Sequence, residues 1–432
     1  MPESTARSPR LLRRINAGVV LRFALTTGDF TAAAAMEASG LTRATVLDVC
    51  AELIDLGWLE EVEDSRVAGL SRRGRPARRY RLREDAGVVV GVDAGEHRFD
   101  AVAADLRGEV LASGHRHVDP SAVDRDARVD LVRTLVEEVL SAASAAGTSE
   151  VCVPLLTVVG VPAPVDAEGA SPDDQGAFWG VMNADFQDHL PGQVLIENDA
   201  NLAVLAEHAH SPSPHMAALL TGERFGAGLI VDDRLLHGRR GGAGEMRFLD
   251  LIAADDPDAG SVDGLGALAR RWALGELERT ERPSALRETD PSQLDAQHVF
   301  AAAAQGDALA GEILERLGRR LAHVAVVMES LLDLDKIVIA GGVAPAIGPV
   351  LGHARGVLEA DFFPPFPELV ASTLGRSVIV RGAVEHALAR IREEPLDLLP
   401  AGAGREQRGR EEEREEAGPK ETRGTTPGLT RG

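Results

Sequence analysis

The sequence is poor in cysteine and has no long apolar stretch, and both shortages exclude classes of protein. Two cysteines, Cys50 and Cys152, are too few for a disulfide framework or for a zinc site of the CxxC…CxxC type. No run approaches the roughly 18 apolar residues of a membrane-spanning helix. The N-terminal segment MPESTARSPRLLRRIN lacks the apolar region of a secretory signal. We therefore expect a cytoplasmic protein with no membrane partner.

Positive charge is also scarce, and it is unevenly placed. The 432 residues carry a formal net charge of -22, and lysine occurs only at Lys336 and Lys420. This balance argues against nucleic-acid binding over the whole surface. Residues 66–83, RVAGLSRRGRPARRYRLR, nevertheless hold eight arginines and no acidic residue. A basic segment on an acidic chain is typical of a small DNA-binding module joined to a larger body.

The N-terminal residues predict helices and strands in the order of a winged helix-turn-helix. Apolar spacing predicts two helices and two strands, at 10–27, 31–38, 58–62 and 79–82. Between them, Thr42 occupies the N-cap position of a third helix and Gly57 its C-terminal stop. Three helices followed by a β-hairpin with a basic tip indicate a winged helix-turn-helix, which we assign to residues 1–85.

The candidate DNA contacts lie at the start of the third helix and in the wing. The N-terminal residues of a recognition helix meet base edges in the major groove, and an extended Arg-Gly-Arg-Pro tip suits a narrow minor groove. We therefore predict DNA contacts from Thr42, Arg43, Thr45, Arg72, Arg73, Arg75 and Arg78. The alternative is a helical protein-interaction domain with Arg43 on a solvated face.

From residue 88 the pattern changes to short apolar strands with glycine turns, alternating with helices. Strands are predicted at 88–95, 98–114 (two strands), 151–161, 194–198, 215–222, 225–231 and 336–342. Helices are predicted at 123–146, from about 201 to 208, at 262–279, 294–304, 307–332, after Pro345, and at 382–392. This order indicates an α/β protein, and we expect two lobes.

The C-terminal segment 393–432 has almost no large apolar residue and mixes charges of both signs. We therefore predict that it is disordered. A solvated helix over the Glu/Arg run 405–416 is the alternative.

Several motifs follow one another along the chain: GRPxxxYRL, VVVGVDAG, AVAADLRGEVL, GVPAPVD, ENDANLAVLAE, GAGLIV, GGAGE and VIAGGV. Together they resemble the ROK family, which joins sugar kinases and sugar-responsive repressors on an actin-like, two-lobed ATPase fold related to ribonuclease H. The resemblance implies an actin-like domain over 86–392. Its first lobe would cover about 86–198 plus 378–392, and its second lobe about 199–377.

Both phosphate-binding turns of that family are altered in this chain. The family's DxGGT turn reads Asp93-Ala94-Gly95-Glu96-His97 here, and its GTGxGxG turn reads Gly222-Glu223-Arg224-Phe225-Gly226-Ala227-Gly228. Each turn thus places a carboxylate where backbone amides would approach a nucleotide phosphate. We therefore expect no kinase activity and no cofactor. The alternative is a different loop geometry that still admits ATP.

The sugar-site motif of the family is complete in Glu197-Asn198-Asp199-Ala200-Asn201. By resemblance, Asn198 and Glu245 would bind sugar hydroxyls and Asp199 would occupy the general-base position, here without a catalytic role. Capping of the following helix is the alternative for Asp199.

The resemblance also implies that a family zinc site is missing. The histidine of the family's ExGH motif is replaced by Phe248, and no cysteine follows it. We therefore expect no metal. Asp255, Asp256 and Asp258 are read as a solvated acidic loop rather than a site for a hard cation.

These observations favour a non-enzymatic, sequence-specific transcriptional regulator of ROK type, most simply a repressor. The expected partners are double-stranded DNA with an inverted-repeat operator and a small sugar effector, and a homodimer or dimer of dimers matches such an operator. Two alternatives stay open. One is a sugar kinase with an appended DNA-binding module, and the other is a regulator whose actin-like body is a dimer scaffold without a ligand.

Overall fold

The computed structural model describes residues 9–62, 78–83, 85–145, 153–172, 178–246, 249 and 262–393. The chain divides into two units: residues up to Gly87 together with those from Arg392 onward, and Val88–Ile391. In the part of the chain that is described, no helix is long and apolar enough to cross a membrane. Cys152 and the tail after Glu393 lie outside the described residues.

The described part of the first unit contains three helices: α1 (Pro9–Thr26), α2 (Ala32–Ser39) and α3 (Arg43–Asp55). Helix α2 begins where the Thr31 side chain accepts a hydrogen bond from the Ala34 amide. It ends at Gly40, whose φ of 68° lies in the left-handed region. The turn is tight because Thr42 already caps α3, accepting from the Thr45 amide at 3.3 Å.

Three short strands complete this unit as described: β1 (Phe30–Thr31), β2 (Leu59–Val62) and β3 (Arg79–Leu82). They form an antiparallel sheet in the order β1-β3-β2. Helix and sheet share one core, in which Val46, Leu53 and Trp58 are fully buried and Tyr80 nearly so. The predicted order of helices and strands is therefore present, with β1 as an additional strand.

The second unit begins with a first lobe built on a five-stranded sheet. Its strands are β4 (Val88–Ala94), β5 (Arg98–Asp105), β6 (Val110–His117), β7 (Leu156–Val161) and β8 (Val194–Asn198). The described helices of this part are α4 (Arg125–Ala145), α5 (Phe178–Met182) and α6 (Phe186–His189). Helix α7 (Asp199–His210) follows β8 directly and packs against the sheet of the second lobe. The strand order is β6-β5-β4-β7-β8.

A second lobe follows, again on a five-stranded sheet among the described residues. Its strands are β9 (Met216–Leu220), β10 (Gly226–Val231), β11 (Arg234–Leu235), β12 (Lys336–Ala340) and β13 (Glu368–Ala371). Its helices are α8 (Leu265–Arg279), α9 (Ala296–Ala304), α10 (Ala308–Leu332) and α11 (Gly348–Asp361), and the final helix is α12 (Val378–Glu393). The strand order is β11-β10-β9-β12-β13.

The two sheets have the same topology. In each, the first three strands form an antiparallel meander, and two further strands add in parallel beside the first. Parallel addition requires crossover connections, which here contain helices. This duplicated, mixed-sheet arrangement is the actin-like α/β fold, and the expected fold class of this unit is confirmed.

Helices α7 and α12 approach each other closely beside the two sheets. A Cβ at Gly382 of α12 would overlap the carbonyl of Leu202 in α7. A Cβ at Gly91 of β4 would lie 2.6 Å from the Val380 carbonyl, and one at Gly228 of β10 would overlap the Ala200 carbonyl. Small residues at these points let the helices pack directly on each other and on the strands.

Several details differ from the sequence prediction: α5, α6 and β11 were not predicted, and α12 begins at Val378 rather than at residue 382. Helix α7 starts at Asp199, two residues earlier than expected, because Asn198 already supplies the cap. Strand β13, after a Phe/Pro-rich segment, was not predicted. Its four residues pair in parallel with β12 along one edge, and so short a strand has little periodicity of its own.

Candidate functional site

The candidate site is built where β8 ends and α7 begins. Asn198 is the N-cap of α7: its Oδ1 accepts from the amides of Ala200 at 3.0 Å and Asn201 at 3.1 Å. Its Nδ2 donates to the Ala163 carbonyl at 3.0 Å. The capping alternative for Asp199 is therefore wrong, since Asp199 is the first helical residue and Asn198 fills the cap. Asn198 retains one Nδ2 hydrogen for a ligand.

Glu197, one residue earlier, is a buried carboxylate with a complete set of partners. Its Oε1 accepts from the Asn198 amide and from Asn201 Nδ2, both at 2.8 Å, and its Oε2 lies 2.8 Å from His237 Nε2. Burial alone would raise the pKa of Glu197, but the hydrogen bonds from His237 and Asn201 outweigh it and lower that pKa. The hydrogen bond between His237 and Glu197 also raises the pKa of His237.

Asp199 faces the other way, into a cavity that it shares with Glu245. Burial raises the pKa of Asp199 to about 7, and the nearby Glu245 carboxylate adds to this rise against one hydrogen bond from the Ala200 amide. The pKa of Asp93 is also raised well above its usual value, first by burial and then by the negative charge of the nearby Asp199. An aspartate that titrates near neutral pH can accept a hydroxyl proton or donate one.

The cavity has a volume of about 180 Å³ and is lined by residues of both lobes. Asn198, Asp199 and Glu245 provide its polar groups, and an arginine, Arg224, lies at its edge. Apolar and aromatic side chains form the rest of the wall: Pro162, Phe178, Trp179, Leu220, Phe225, Met246, Leu249 and Val262. Polar groups that converge within an apolar wall are typical of a small-molecule site.

The two altered phosphate turns meet across this cleft. Glu96 lies in the turn between β4 and β5, Arg224 in the turn between β9 and β10, and Arg224 Nε is 3.8 Å from Glu96 Oε2. The Arg224 guanidinium also lies 3.8 Å from the centre of the Phe178 ring. Glu96 and Arg224, the residues that replace glycines of the two family turns, therefore lie next to each other.

Each turn is fixed within its own lobe. Arg128, fully buried, donates from Nη2 to the carbonyls of Ala94 at 2.5 Å and Gly95 at 3.0 Å, and burial lowers its pKa to about 10. In the second lobe, the amides of Gly266 and Ala267 at the start of α8 donate to the carbonyls of the second turn. Both turns thus hold their side chains in defined positions.

The predicted DNA contacts are placed in part. Thr42 and Arg43 are exposed at the start of α3, and Thr45 is half-buried with its hydroxyl 2.9 Å from that of Thr42. Arg78 is exposed and pairs with Glu61 of the neighbouring strand at 3.3 Å. The remaining three, Arg72, Arg73 and Arg75, lie outside the described residues.

The residues on which the expected absence of a zinc site depends are also outside the described part of the chain. Phe248 and the three aspartates at 255, 256 and 258 lie outside the described residues. Elsewhere, among the residues with described positions, no group of three or more His, Cys, Asp or Glu side chains could hold a metal ion.

Three residues of the site were missed by sequence reasoning. His237 stands 40 residues from Glu197, Phe178 stands 46 residues before Arg224, and Arg128 lies in an amphipathic helix. None of them belongs to a local motif, and an arginine in an amphipathic helix is usually solvated. The only signal is that Arg128 falls on the buried face of α4, among apolar residues at helical spacing.

Similar proteins include both kinases and regulators. A glucokinase of Thermotoga maritima is 26% identical over 321 residues, which cover 70% of this chain and 98% of the kinase. The DNA-binding transcriptional dual regulator NagC of Escherichia coli is 24% identical over 346 residues, which cover 78% of this chain and 82% of the regulator.

Solved structures of the same fold also come from both classes. A ROK family transcriptional regulator, described as a homologue of the E. coli MLC protein, matches with a TM-score of 0.65 and 22% identity over 87% of this chain and 96% of its own. A ROK family glucokinase from Streptomyces griseus, in complex with glucose and AMPPNP, matches with a TM-score of 0.54 and 23% identity over 69% of this chain and 98% of its own. The sequence model of the ROK family matches residues 89–385, well over half of the chain, and the chain therefore belongs to the ROK family.

Proposed function

We propose that this protein is a DNA-binding regulator of transcription, a repressor, that responds to a small hydroxylated ligand and does not transfer phosphate. The observation that carries the proposal is the first unit, in which α3 starts at the exposed Thr42 and Arg43 directly after a tight turn. Glucokinase relatives cover only about 70% of the chain, whereas the regulator structure of the same fold covers 87%. A regulator with an additional N-terminal module should match a larger share of this chain than a kinase that lacks the module.

In this proposal the first unit is a winged helix-turn-helix and α3 its recognition helix. The N-terminus of α3 brings a guanidinium and two hydroxyls toward base edges and phosphates. Strands β2 and β3 are joined by residues 63–78, whose sequence contains five arginines. Positive charge at a hairpin tip fits the negative potential of a minor groove.

A mobility-shift experiment with genomic fragments tests DNA binding. We expect the full chain to shift a subset of fragments at low salt, and Arg43→Ala to weaken binding by about 1–3 kcal/mol at its preferred site if Arg43 reads a base. Arg133→Ala is the matched control, because it removes one exposed arginine from α4 of the other unit. Failure of the full chain to shift any fragment would refute the regulator proposal.

We further propose that two copies bind an inverted repeat, because a two-fold symmetric dimer matches a two-fold symmetric operator. Footprinting should then protect two half-sites about one helical turn, or a small multiple of it, apart. Sedimentation of the complex should give two or four chains per operator. One chain on a single half-site is the opposing result.

The ligand proposal rests on Asn198, Asp199 and Glu245. An amide and two carboxylates provide the donors and acceptors that hydroxyl groups require. Relatives are named for N-acetylglucosamine or hold glucose in their structures, so these two sugars are the first probes. Calorimetry should detect binding of at least one sugar in a panel around them, and that sugar should change affinity for DNA. A tenfold change corresponds to about 1.4 kcal/mol of differential binding.

A sugar kinase is the second candidate, because Asp199 titrates near pH 7 as a general base should and glucokinases match over nearly their whole length. Against it, Glu96, Glu223 and Arg224 occupy both phosphate turns. We expect no turnover above background with ATP, magnesium and a hexose panel. Turnover that is abolished by Asp199→Asn would establish the kinase instead.

A further inference from the structure

We propose that Arg224 and Glu96 form an internal clamp across the cleft, which joins the two lobes without a nucleotide and leaves room for one small hydroxylated ligand. The pair connects the first lobe with the second, since Glu96 follows β4 and Arg224 follows β9. Its atoms are 3.8 Å apart, and the two side chains are 28% and 45% exposed. The attraction therefore acts at the mouth of the cleft and is only partly screened by water.

A second contact reinforces the first. The Arg224 guanidinium lies 3.8 Å from the centre of the Phe178 ring, which belongs to α5 of the first lobe. A guanidinium over an aromatic face is attracted by the negative face of the ring, and the attraction grows when the pair is desolvated. Arg224 thus meets the first lobe at two separate points, a carboxylate and a ring.

The clamp is built on rigid supports. The backbone of the second turn pairs with residues before α8: the Phe225 amide donates to the Val262 carbonyl at 3.1 Å, and the Gly264 amide donates to the Glu223 carbonyl at 2.9 Å. In the first lobe, Arg128 holds the carbonyls of Ala94 and Gly95, the two residues that directly precede Glu96. Because both supports are fixed, a change in the distance between Arg224 and Glu96 reports a movement of one lobe relative to the other.

The position of the clamp determines what the cavity can accept. Arg224 lines the same cavity as Asn198, Asp199 and Glu245, so it forms part of the wall of the space in which hydroxyl groups would bind. A triphosphate reaching along the cleft would have to displace Arg224 from Phe178 and then meet the carboxylates of Glu96 and Glu223. A ligand without phosphates fits beside the closed clamp. This inference concerns Val88–Ile391 alone and does not depend on DNA binding.

Hydrogen exchange on the full chain tests the clamp through a double-mutant cycle. The variants are Arg224→Ala, Glu96→Ala and their combination, and the readout is amide exchange in the two turns, 94–98 and 222–226. Each single variant should speed exchange in both turns about three- to tenfold. The double variant should be no faster than the faster single one, because both substitutions remove the same contact. The exchanged pair Glu96→Arg with Arg224→Glu should recover part of the protection.

Arg270→Ala is the matched control. Arg270 pairs with Glu223 at a similar distance, 3.9 Å, and is somewhat more exposed, but both residues belong to the second lobe. This variant should leave exchange in the first-lobe turn unchanged. If either alanine variant is poorly folded by circular dichroism, Arg224→Gln and Phe178→Leu give the same two-turn readout. Effects that remain within the mutated turn, or that add in the double variant, would overturn the clamp.

Millimolar AMPPNP with magnesium provides an independent arm. Wild-type protein should show no protection of either turn by this nucleotide. Protection of both turns by AMPPNP in the wild-type chain would also overturn the proposal, because it would show that phosphates enter with the clamp in place. Loss of DNA binding in any variant has no bearing on this outcome.

Discussion

Replacing His237 by alanine removes a partner of Glu197 that comes from the second lobe. His237 Nε2 lies 2.8 Å from Glu197 Oε2, and the Glu197 side chain is only 6% exposed. Glu197 immediately precedes Asn198, and His237 lies in the loop that leads from β11 to Glu245. The substitution therefore tests whether this contact supports the arrangement of the candidate ligand groups.

The expected magnitude follows from burial on one side and exposure on the other. Leaving a buried acceptor without its donor costs about 1–3 kcal/mol. His237 itself is 45% exposed, so water can reach the space it vacates and replace part of the lost bond. We therefore expect His237→Ala to lower the free energy of unfolding by about 1–2 kcal/mol at pH 6, which is a drop of roughly 2–4 °C in melting temperature for a unit of this size.

The loss should depend on pH in a defined direction. The pKa of His237 is raised above 6.5, so its contribution is complete below that value and fades as the pH rises through the folded pKa. The pKa of Glu197 is lowered below 4.5, so its contribution is present above that value and fades as the pH falls through its folded pKa. The difference between wild type and His237→Ala should thus be largest between about pH 4.5 and 6.5 and smaller at pH 8.5.

Thermal and urea unfolding of the full-length variants at pH 6 and pH 8.5 measure this difference. His237→Gln keeps a neutral donor and should recover about half of the loss. His208→Ala is the matched control: His208 Nε2 lies 3.1 Å from an acceptor, Asp233, that is 66% exposed, and its removal should change stability by less than about 0.5 kcal/mol. Equal losses for His237→Ala at the two pH values, or a loss no larger than that of His208→Ala, would refute the reasoning.

Three further predictions concern single positions. Gly382→Ala should lower stability by about 1–3 kcal/mol in urea, because its methyl group overlaps the Leu202 carbonyl, whereas Gly356→Ala, with open space around it in α11, should raise stability by up to about 1 kcal/mol. Asp199→Asn should be about 1–2 kcal/mol more stable than wild type at pH 8 and no more stable near pH 4. The reason is that burial raises the pKa of Asp199 from 3.8 to about 7, so its ionisation in the folded state is unfavourable. Lower stability of the variant at both pH values would contradict this. Asn198→Ala should lower the melting temperature through loss of about 1 kcal/mol of N-cap energy, and Asn198→Ser should retain most of it.

Local signals in the sequence were sufficient for most elements of the fold. Thr42 caps α3 as predicted, because a threonine before an apolar-periodic run satisfies a free helix amide. Most strands of the two sheets were recognised from apolar runs that end at glycine turns, but the two-residue strand β11 was not. Strand β13 was missed since its four residues become a strand only by pairing with β12. The start of α7 was misplaced because two consecutive residues, Asn198 and Asp199, are both good caps, and only the backbone shows which one is used.

The candidate site, like the fold, was predicted from the sequence in part. Its motif residues, Asn198, Asp199 and Glu245, were named from the sequence, and they line one cavity. The altered turns were also visible, but each carboxylate was read as a separate obstacle to phosphate. That Glu96 faces Arg224, 128 positions later, could not be read from either turn alone.

The sequence by itself determined the order of most elements, the cap of α3 and the family to which the chain belongs, because these depend on neighbouring residues and on periodicity. The tertiary structure decided the contacts between distant residues: His237 with Glu197, and Arg224 with Glu96 and Phe178. It also decided the ionisation of Asp199, whose pKa depends on burial and on the nearby Glu245. Burial and the distance between charges exist only once the two lobes have folded, and these quantities set the strength of every interaction in the cleft.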